Sequence, residues 1–181
     1  MNNMLEVAKK YETKIKKLKV LAFDIDGVLT DGKIWWQGEE VGWNRSFNTY
    51  DGYGLKIMQK AGFKVGVITG GDSLGVHKRF KENLGLDFVF AGNEDKRQGY
   101  LDVLKMDQGY RDDEVFYMGD ELFDIPLLKR AGFSATVPNT TQEVKDACDY
   151  VTEKTSGTGC AREVIDLIRY VHNINPLIED F

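Results

Sequence analysis

Residues Leu21-Ala22-Phe23-Asp24-Ile25-Asp26-Gly27-Val28-Leu29-Thr30 decide the fold, because a short apolar run here delivers two aspartates to a glycine turn. The run that ends at Phe23 is typical of a strand buried on both faces of a parallel sheet. Ionised carboxylates beside such a strand cost several kcal/mol of folding free energy unless something compensates their charge. The stretch therefore predicts a buried strand that ends at a cation site.

The composition is ordinary for a soluble globular protein, since 42% of the 181 residues are hydrophobic and 29% are charged. This length fills one core well and is short for two, so we expect a single domain over residues 1–181. The net charge of -5 offers no general attraction to nucleic acid or to an anionic membrane. The chain has two cysteines and no long apolar segment, so we expect a cytoplasmic protein with neither kind of partner.

Strand and helix patterns alternate along the chain. Apolar runs predict strands at 20–23, 65–68, 88–90, 115–118, 133–137 and 150–151. Helical patterns lie between and after them, at 54–60, 73–84, 96–106, 125–130, 142–147 and 161–171. Because parallel strands need crossover connections, the alternation predicts an α/β fold, a Rossmann-like three-layer sandwich with a mainly parallel sheet.

Residues 32–47 interrupt this alternation. Two short strand-like segments flank a polar turn there, a pattern typical of a β-hairpin. The hairpin holds all three tryptophans of the chain, and a small domain cannot bury both faces of such an insertion. We therefore expect one face to meet another subunit; the alternative is that the tryptophans fold back onto the parent domain.

Polar groups follow four successive predicted strands. They are Asp24, the pair Thr69-Gly70, Lys96 at the start of a helix, and the pair Gly119-Asp120. Taken singly, each is more often a turn former or a solvated charge. Because the carboxyl ends of parallel strands lie at one edge of the sheet, we expect all four to converge on one crevice, as a catalytic site requires.

Acidic residues at and just beyond these strand ends predict a magnesium site. Asp24, Asp26 and Asp120 supply the hard oxygen ligands that suit Mg²⁺, which typically binds one or two carboxylates together with a substrate phosphate. The histidines and cysteines show no spacing typical of a zinc site. Asp124, one helical turn beyond Asp120, is expected to orient the metal from outside its ligand shell.

The same residue types predict a phosphoryl-transfer reaction. Asp24 is the expected nucleophile, which attacks phosphorus and forms an aspartyl-phosphate. Asp26 is expected to protonate the leaving alkoxide and then to deprotonate the attacking water. The Thr69 hydroxyl and nearby backbone N–H groups, including that of Gly70, are expected to bind the phosphoryl oxygens, while Lys96 offsets their charge.

Four segments in this order, Asp24 to Gly32, Ile68 to Gly70, Lys96 and Gly119 to Asp124, resemble the four motifs of the haloacid dehalogenase superfamily. The Asp-x-Asp form implies a phosphatase or another phosphotransferase. The resemblance also implies that the backbone carbonyl of Asp26 binds the metal, which leaves its side chain free for proton transfer.

Two further segments, residues 47–54 and 156–163, look like those of the 3-deoxy-D-manno-octulosonate 8-phosphate phosphatases, and the likeness covers residues 18–170. It implies a phosphorylated sugar-acid substrate, a role in lipopolysaccharide precursor synthesis, and a homotetramer in which a neighbouring subunit closes the site. Neither interval that holds a cap domain in many relatives has room for one here. By the same likeness, the candidate substrate contacts are Asn48, Thr49, Tyr50, Asp51, Gly52, Lys56 and Arg79.

Departures from this pattern leave the substrate open. The chain has Gly71 and Thr158 where the resembling phosphatases usually carry arginine. It has Glu121 where many relatives carry a second aspartate, and this residue keeps the charge on a longer arm and is expected, like Asp124, to lie just outside the ligand shell of the metal. A related subgroup that acts on nine-carbon ulosonate 9-phosphates also lacks the arginine after Thr-Gly. The alternatives are therefore a nine-carbon or other sugar phosphate and, from another class, a non-catalytic partner of a sugar-activating cytidylyltransferase.

Overall fold

The computed structural model describes residues 2–176 and the side chains of residues 4–176. Its strands are β1 (Val20–Phe23), β2 (Trp35–Trp36), β3 (Trp43–Asn44), β4 (Lys64–Ile68), β5 (Phe88–Phe90), β6 (Val115–Met118), β7 (Phe133–Thr136) and β8 (Tyr150–Val151). Six of them form one sheet in the order β5-β4-β1-β6-β7-β8. Every pairing in that sheet is parallel, so the predicted α/β architecture is confirmed.

Helices cover both faces of the sheet. They are α1 (Asn2–Ile15), α2 (Thr49–Lys60), α3 (Leu74–Val76), α4 (Arg97–Leu104), α5 (Ile125–Arg130), α6 (Gln142–Asp146) and α7 (Cys160–His172). Leu21 and Phe23 of β1 pack in one core with α1, α2 and α7, while Val20 and Ala22 pack in the other with α4, α5 and α6. This alternation of side chains across one strand makes the three-layer sandwich.

The central position of β1 brings the site together. All four of its residues are fully buried, and it pairs with β4 on one side and with β6 on the other. The backbone N–H of Asp24, the next residue, donates to the carbonyl of Met118 at 2.8 Å. The chain segments after β4 and β6 therefore flank Asp24.

Helix α2 begins five residues before the predicted start at residue 54. The Asn48 side chain caps it by accepting a hydrogen bond from the Tyr50 N–H at 2.8 Å. Two glycines in its first turns weaken the helical pattern in the sequence. Close packing accounts for Gly54, since a Cβ there would lie 3.0 Å from Ile165 Cδ1 of α7.

The β-hairpin is short, with two residues in each strand. Trp36 and Trp43 pack edge to face, with ring centroids 5.5 Å apart. The three tryptophans, including Trp35, are 44–50% exposed. They therefore do not fold back onto the parent domain, and the aromatic face of the hairpin is open on this chain.

None of the described helices is long and apolar enough to cross a lipid bilayer. Both cysteines are free thiols. The predicted domain span of 1–181 includes residue 1 and residues 177–181, which lie outside the described part of the chain.

Candidate active site

The loop after β1 leaves room for the carboxylate of Asp120, which follows β6, to lie close to that of Asp24, which follows β1. Residues Ile25–Leu29 form a π-helical turn in which Asp26 and Gly27 leave helical geometry, Gly27 with φ +86°. A Cβ on Gly27 would lie 1.9 Å from Asp120 Oδ2, so a side chain at this position would displace Asp120. Glycine is required here both for the backbone angle and for the space.

Asp24 is buried at the end of β1, with 2% of its surface exposed. Its Oδ1 accepts a hydrogen bond from the Ile25 N–H at 2.6 Å, and its Oδ2 lies 2.7 Å from Lys96 Nζ. Burial raises the pKa of Asp24 to about 7, although the Lys96 charge acts in the opposite direction. The carboxylate is therefore fixed in orientation but incompletely compensated in charge.

Lys96 lies between two buried carboxylates. Its Nζ is 2.7 Å from both Asp24 Oδ2 and Asp124 Oδ1, and it lies 4.5 Å from the centroid of the Phe123 ring. Burial by itself lowers the pKa of Lys96, but the charges of the two aspartates outweigh it and the net shift is upward. Lys96 is thus held as a buried cation.

Both oxygens of Asp124 are occupied by donors. Oδ1 accepts from Lys96 Nζ at 2.7 Å and from the Tyr117 hydroxyl at 2.6 Å. Oδ2 accepts from the backbone N–H groups of Asp120 and Glu121, each at 3.0 Å. Such a carboxylate can orient the Asp120 segment and has little capacity left for direct metal binding.

Tyr117 is a site residue that the sequence analysis missed. It is fully buried near the end of β6, and burial raises the pKa of its hydroxyl well above the ordinary value. A polar tip in an otherwise apolar strand, two residues before Gly119-Asp120, is the signal that could have found it.

Asp120 shows most clearly that the cluster fits a cation. Its Oδ1 is buried and has no hydrogen-bond partner among the described residues. Burial and then the charges of Asp24 and Asp124 raise the pKa of Asp120 to about 8. One oxygen from each of these three aspartates lies within 4.8 Å of the other two. The donor set fits a hard divalent cation such as Mg²⁺, with Asp24 and Asp120 best placed to offer oxygens.

Asp26 is held from the hairpin side. Its carboxylate, 30% exposed, accepts from Arg45 Nε at 2.7 Å and from Arg45 Nη2 at 2.9 Å. Thr30 Oγ1 lies 3.3 Å from Asp26 Oδ1. The sequence analysis missed Arg45, because the contact spans 19 residues and no local pattern marks it.

Thr69 and Gly70 follow β4, beside Asp24. Thr69 is buried, and its backbone N–H donates to the carbonyl of Phe90 at 2.8 Å. A Cβ on Gly70 would lie 3.3 Å from Glu94 Cγ, so the loop passes close to the next strand-end segment. The structure thus brings the segments after β1, β4, β5 and β6 to one edge of the sheet.

Known proteins share this sequence and fold. The family profile of the haloacid dehalogenase-like hydrolases matches residues 87–164. The 3-deoxy-D-manno-octulosonate 8-phosphate phosphatase of Haemophilus influenzae is 33% identical over 159 residues, which cover 87% of this chain and 86% of that protein. The chain belongs to this phosphatase family. It is accordingly a haloacid dehalogenase-like hydrolase of the phosphoric monoester type.

Solved structures of relatives agree with this placement. A subfamily III A hydrolase of the superfamily from Legionella pneumophila has a TM-score of 0.86 and 37% identity, covering 93% of this chain and 92% of that chain. The phosphatase from Moraxella catarrhalis has a TM-score of 0.85 and 33% identity, covering 91% of this chain and 93% of that chain. The Moraxella structure is a complex with a magnesium ion, a phosphate ion and a KDO molecule.

Three of the predicted substrate contacts, Asn48, Thr49 and Tyr50, lie near the loop that follows β1. Asn48 Nδ2 donates to the Gly157 carbonyl at 3.1 Å. Gly157 in turn packs on that loop, since a Cβ there would lie 2.5 Å from the Asp31 N. Thr49 and Tyr50 are exposed just beyond Asn48.

Three others, Asp51, Gly52 and Arg79, make contacts inside the domain. Asp51 is 1% exposed, and its Oδ1 accepts from the Arg162 N–H at 2.7 Å, so it ties α2 to α7. Gly52 lies against the guanidinium of Arg79, which also donates to Asn83.

Two further predicted residues also make local contacts. Lys56 donates to the Leu84 carbonyl at 3.0 Å and lines a groove of about 610 Å³ with α2 and residues 173–176. Glu121 is exposed, and its Oε1 accepts from the Leu122 N–H at 2.7 Å, capping a short turn. Glu121 also exchanges capping-box hydrogen bonds with Asp124 of the carboxylate cluster. The described contacts do not connect the Lys56 side chain with that cluster.

Proposed function

We propose that the chain is a magnesium-dependent phosphatase that converts 3-deoxy-D-manno-octulosonate 8-phosphate to the free sugar acid and phosphate. The observation that carries the proposal is the buried cluster at the end of β1, where Lys96 bridges Asp24 and Asp124 while an Asp120 oxygen has no partner within the described part of the chain. The relatives that match most of this chain bear the name of that activity.

Magnesium fits the cluster in a defined way. Asp24 and Asp120 would hold the ion through carboxylate oxygens, and the Asp26 backbone carbonyl would add a third ligand. When bound, the ion neutralises charge on the substrate phosphate and orients it. Asp124 fixes the segment that carries Asp120, through its hydrogen bonds to the backbone of that segment.

The residues of the chain account for both half-reactions. A carboxylate oxygen of Asp24 attacks phosphorus, the bond from phosphorus to the sugar oxygen breaks, and Asp26 gives that oxygen a proton. Water then attacks the aspartyl-phosphate, Asp26 takes a proton from it, and the bond from phosphorus to the Asp24 oxygen breaks. Lys96 holds the Asp24 carboxylate throughout, and Thr69 and Gly70 bind phosphoryl oxygens.

Gly71 favours one alternative substrate class. The resembling octulosonate phosphatases usually carry arginine at this position, and a subgroup that acts on nine-carbon ulosonate 9-phosphates does not. A glycine removes one cation that could bind the acidic group of the substrate. A nine-carbon ulosonate 9-phosphate is therefore the second candidate.

We also propose that the enzyme is a homotetramer, works in the cytoplasm and contributes to lipopolysaccharide precursor synthesis. The half-exposed tryptophans of the hairpin support the assembly, because an aromatic face of this kind favours burial against another subunit. A monomeric mass in solution at micromolar concentration would argue against it.

Phosphate release from a panel of sugar phosphates, with Mg²⁺ or with a chelator, tests the activity. We expect turnover only with Mg²⁺ and the highest kcat/KM for the eight-carbon substrate. A preference for nine-carbon substrates would select the alternative. No turnover on any ester would contradict a phosphatase and favour a non-catalytic partner of a cytidylyltransferase.

A further inference from the structure

Arg45 lies one residue beyond β3 and is buried, with 6% of its surface exposed. Each of its three guanidinium nitrogens donates a hydrogen bond. Nε and Nη2 donate to the two oxygens of Asp26, and Nη1 donates to Ser73 Oγ at 2.7 Å. A two-point pairing of arginine with a carboxylate fixes both the position and the plane of the carboxylate. Asp26 is therefore oriented by the hairpin.

Space for this pairing depends on the absence of a side chain at residue 71. A Cβ on Gly71 would lie 3.0 Å from Asp26 Oδ2 and 3.4 Å from Arg45 Nη2. The first distance is tighter than most contacts of a Cβ atom, and the second lies at the limit of ordinary contact. The loop after β4 thus leaves room for the guanidinium of Arg45, which extends from the hairpin.

The backbone around Arg45 is itself anchored. The Arg45 N–H donates to Asn44 Oδ1 at 2.8 Å, and Phe47 packs edge to face on Phe80 with centroids 5.2 Å apart. Ser73, the third partner of the guanidinium, also caps α3. Arg45 consequently joins the hairpin, the Asp26 loop and the start of α3.

We infer that Arg45 is a positioning residue, which holds the Asp26 carboxylate where it can exchange a proton with the leaving oxygen and with water. The inference rests on the proposed function, in which Asp26 carries out both proton transfers. Arg45 acts through Asp26, because its side chain is 4% exposed and both Asp26 oxygens lie on it. Its effect is on the rate of the proton-transfer steps, not on substrate binding.

The test compares Arg45→Gln and Asp26→Asn on two substrates. One is the sugar phosphate that the wild-type enzyme prefers, whose alkoxide needs a proton to leave; the other is p-nitrophenyl phosphate, whose phenolate leaves without one. We expect Arg45→Gln to lower kcat for the sugar phosphate about 100-fold, the scale of a misplaced catalytic group, with KM little changed. The burst of p-nitrophenolate reports the phosphorylation of Asp24 alone, and we expect its rate to fall by less than about tenfold, because acid catalysis contributes little to that step. Hydrolysis of the aspartyl-phosphate is common to both substrates and should slow equally with either.

A double-variant cycle gives the decisive readout. If Arg45 works through Asp26, Arg45→Gln in the Asp26→Asn background should add no more than about a twofold loss. Losses that multiply, a p-nitrophenolate burst that slows as much as sugar-phosphate turnover, or a change in KM alone would each overturn the inference. A wild-type enzyme that hydrolyses neither ester would instead overturn the proposed function, and the inference with it.

Two controls separate positioning from folding. Arg130→Gln removes another arginine that pairs with a carboxylate, Asp112 at 2.7 Å, away from the cluster, and should leave kcat unchanged on both substrates. Arg45→Lys keeps the charge but not the two-point pairing. If Arg45→Gln fails to fold, Arg45→Lys should show a smaller loss with the same dependence on the leaving group; wild-type kinetics in this variant would contradict the inference.

Discussion

Asp24 and Asp26 are two residues apart, yet different parts of the molecule hold them. Asp24 is 2% exposed and contacts Lys96, which comes from the segment between β5 and α4 at the same sheet edge. Asp26 is partly exposed and is held by Arg45 from the hairpin. The difference teaches that the sheet fixes the proposed nucleophile, whereas an insertion fixes the proposed proton carrier.

The surroundings of Asp24, here called the sheet side, and those of Asp26, called the hairpin side, also differ in charge balance. Around Asp24, one buried cation, Lys96, faces the carboxylates of Asp24, Asp120 and Asp124. Around Asp26, one guanidinium faces one carboxylate. The excess negative charge lies on the sheet side, which is where a divalent cation would be stabilised.

Replacing Asp24 should have the largest effect on activity. Asp24→Asn removes the attacking oxygen, so kcat should fall by at least about 10⁴-fold, as when other enzymes lose a covalent nucleophile. Steady-state phosphate release measures this. Asp146→Asn, at an exposed aspartate of α6, is the matched control and should keep wild-type activity. Appreciable turnover by Asp24→Asn would mean that the sheet side does not supply the nucleophile.

Replacing Lys96 should have the largest effect on stability. Lys96→Met leaves two buried carboxylates without their cation, and breaking a buried pair costs about 3–5 kcal/mol. For a chain of this size the melting temperature should fall by roughly 6 °C or more at pH 8. Thermal unfolding followed by circular dichroism measures it. Lys129→Met, at an exposed lysine of α5, should melt like the wild type; equal melting of both variants would refute the charge argument.

The metal-free protein should lose stability as pH rises from about 4 to 8. The folded pKa values of Asp24 and Asp120, about 7 and about 8, lie above their ordinary value of 3.8. Their contribution to stability is therefore full below pH 3.8 and is lost as pH rises through 7 and 8. Mg²⁺ should restore more stability at pH 8 than at pH 6, because it displaces protons from the same groups. Melting curves with and without Mg²⁺ at these pH values measure both effects; a Mg²⁺ effect independent of pH would contradict this assignment.

Asp120→Asn tests whether Asp120 is the buried charge that Mg²⁺ stabilises. The substitution removes a buried charge whose Oδ1 finds no partner among residues 4–176, so the metal-free variant should melt above the wild type at pH 8. The stabilising effect of Mg²⁺ should largely disappear, and so should turnover. A variant that melts below the wild type at pH 8 but still responds fully to Mg²⁺ would place the metal elsewhere.

The smallest expected effect concerns the hairpin side. Gly71→Ala places a methyl group 3.0 Å from Asp26 Oδ2, so the carboxylate must shift by a few tenths of an ångström. We expect kcat to fall a few-fold, on the order of 1 kcal/mol, with little change in melting temperature. Steady-state kinetics on the preferred sugar phosphate measures it. An unchanged kcat would show that catalysis tolerates a larger shift of the Asp26 carboxylate than its pairing with Arg45 allows.

The sheet side was predictable from the sequence because its signals are local. Each apolar run shows where its strand ends, and the polar groups lie in the segments after β1, β4, β5 and β6. Strand β1 and the strand before Asp120 were placed to the residue. Tyr117 was missed because a tyrosine in an apolar strand is usually a packing residue.

The hairpin side was less predictable because its contacts are long-range. Arg45 reaches Asp26 across 19 residues, and no periodicity or spacing signals the pairing. Likewise, Asp51 and Lys56 stand at positions typical of substrate contacts in the resembling family, but only the folded chain shows their bonds to α7 and to Leu84. Sequence patterns locate residues on elements, whereas packing decides where their side chains point.

Trapping the covalent intermediate tests the central claim most directly. The enzyme is mixed with excess sugar phosphate and Mg²⁺, quenched in acid within one turnover, digested and analysed by mass spectrometry. The account predicts one phosphoryl group on the peptide that contains Asp24, and none in Asp24→Asn. A phosphoryl group on another residue, or turnover in which Asp24 never becomes phosphorylated, would contradict it.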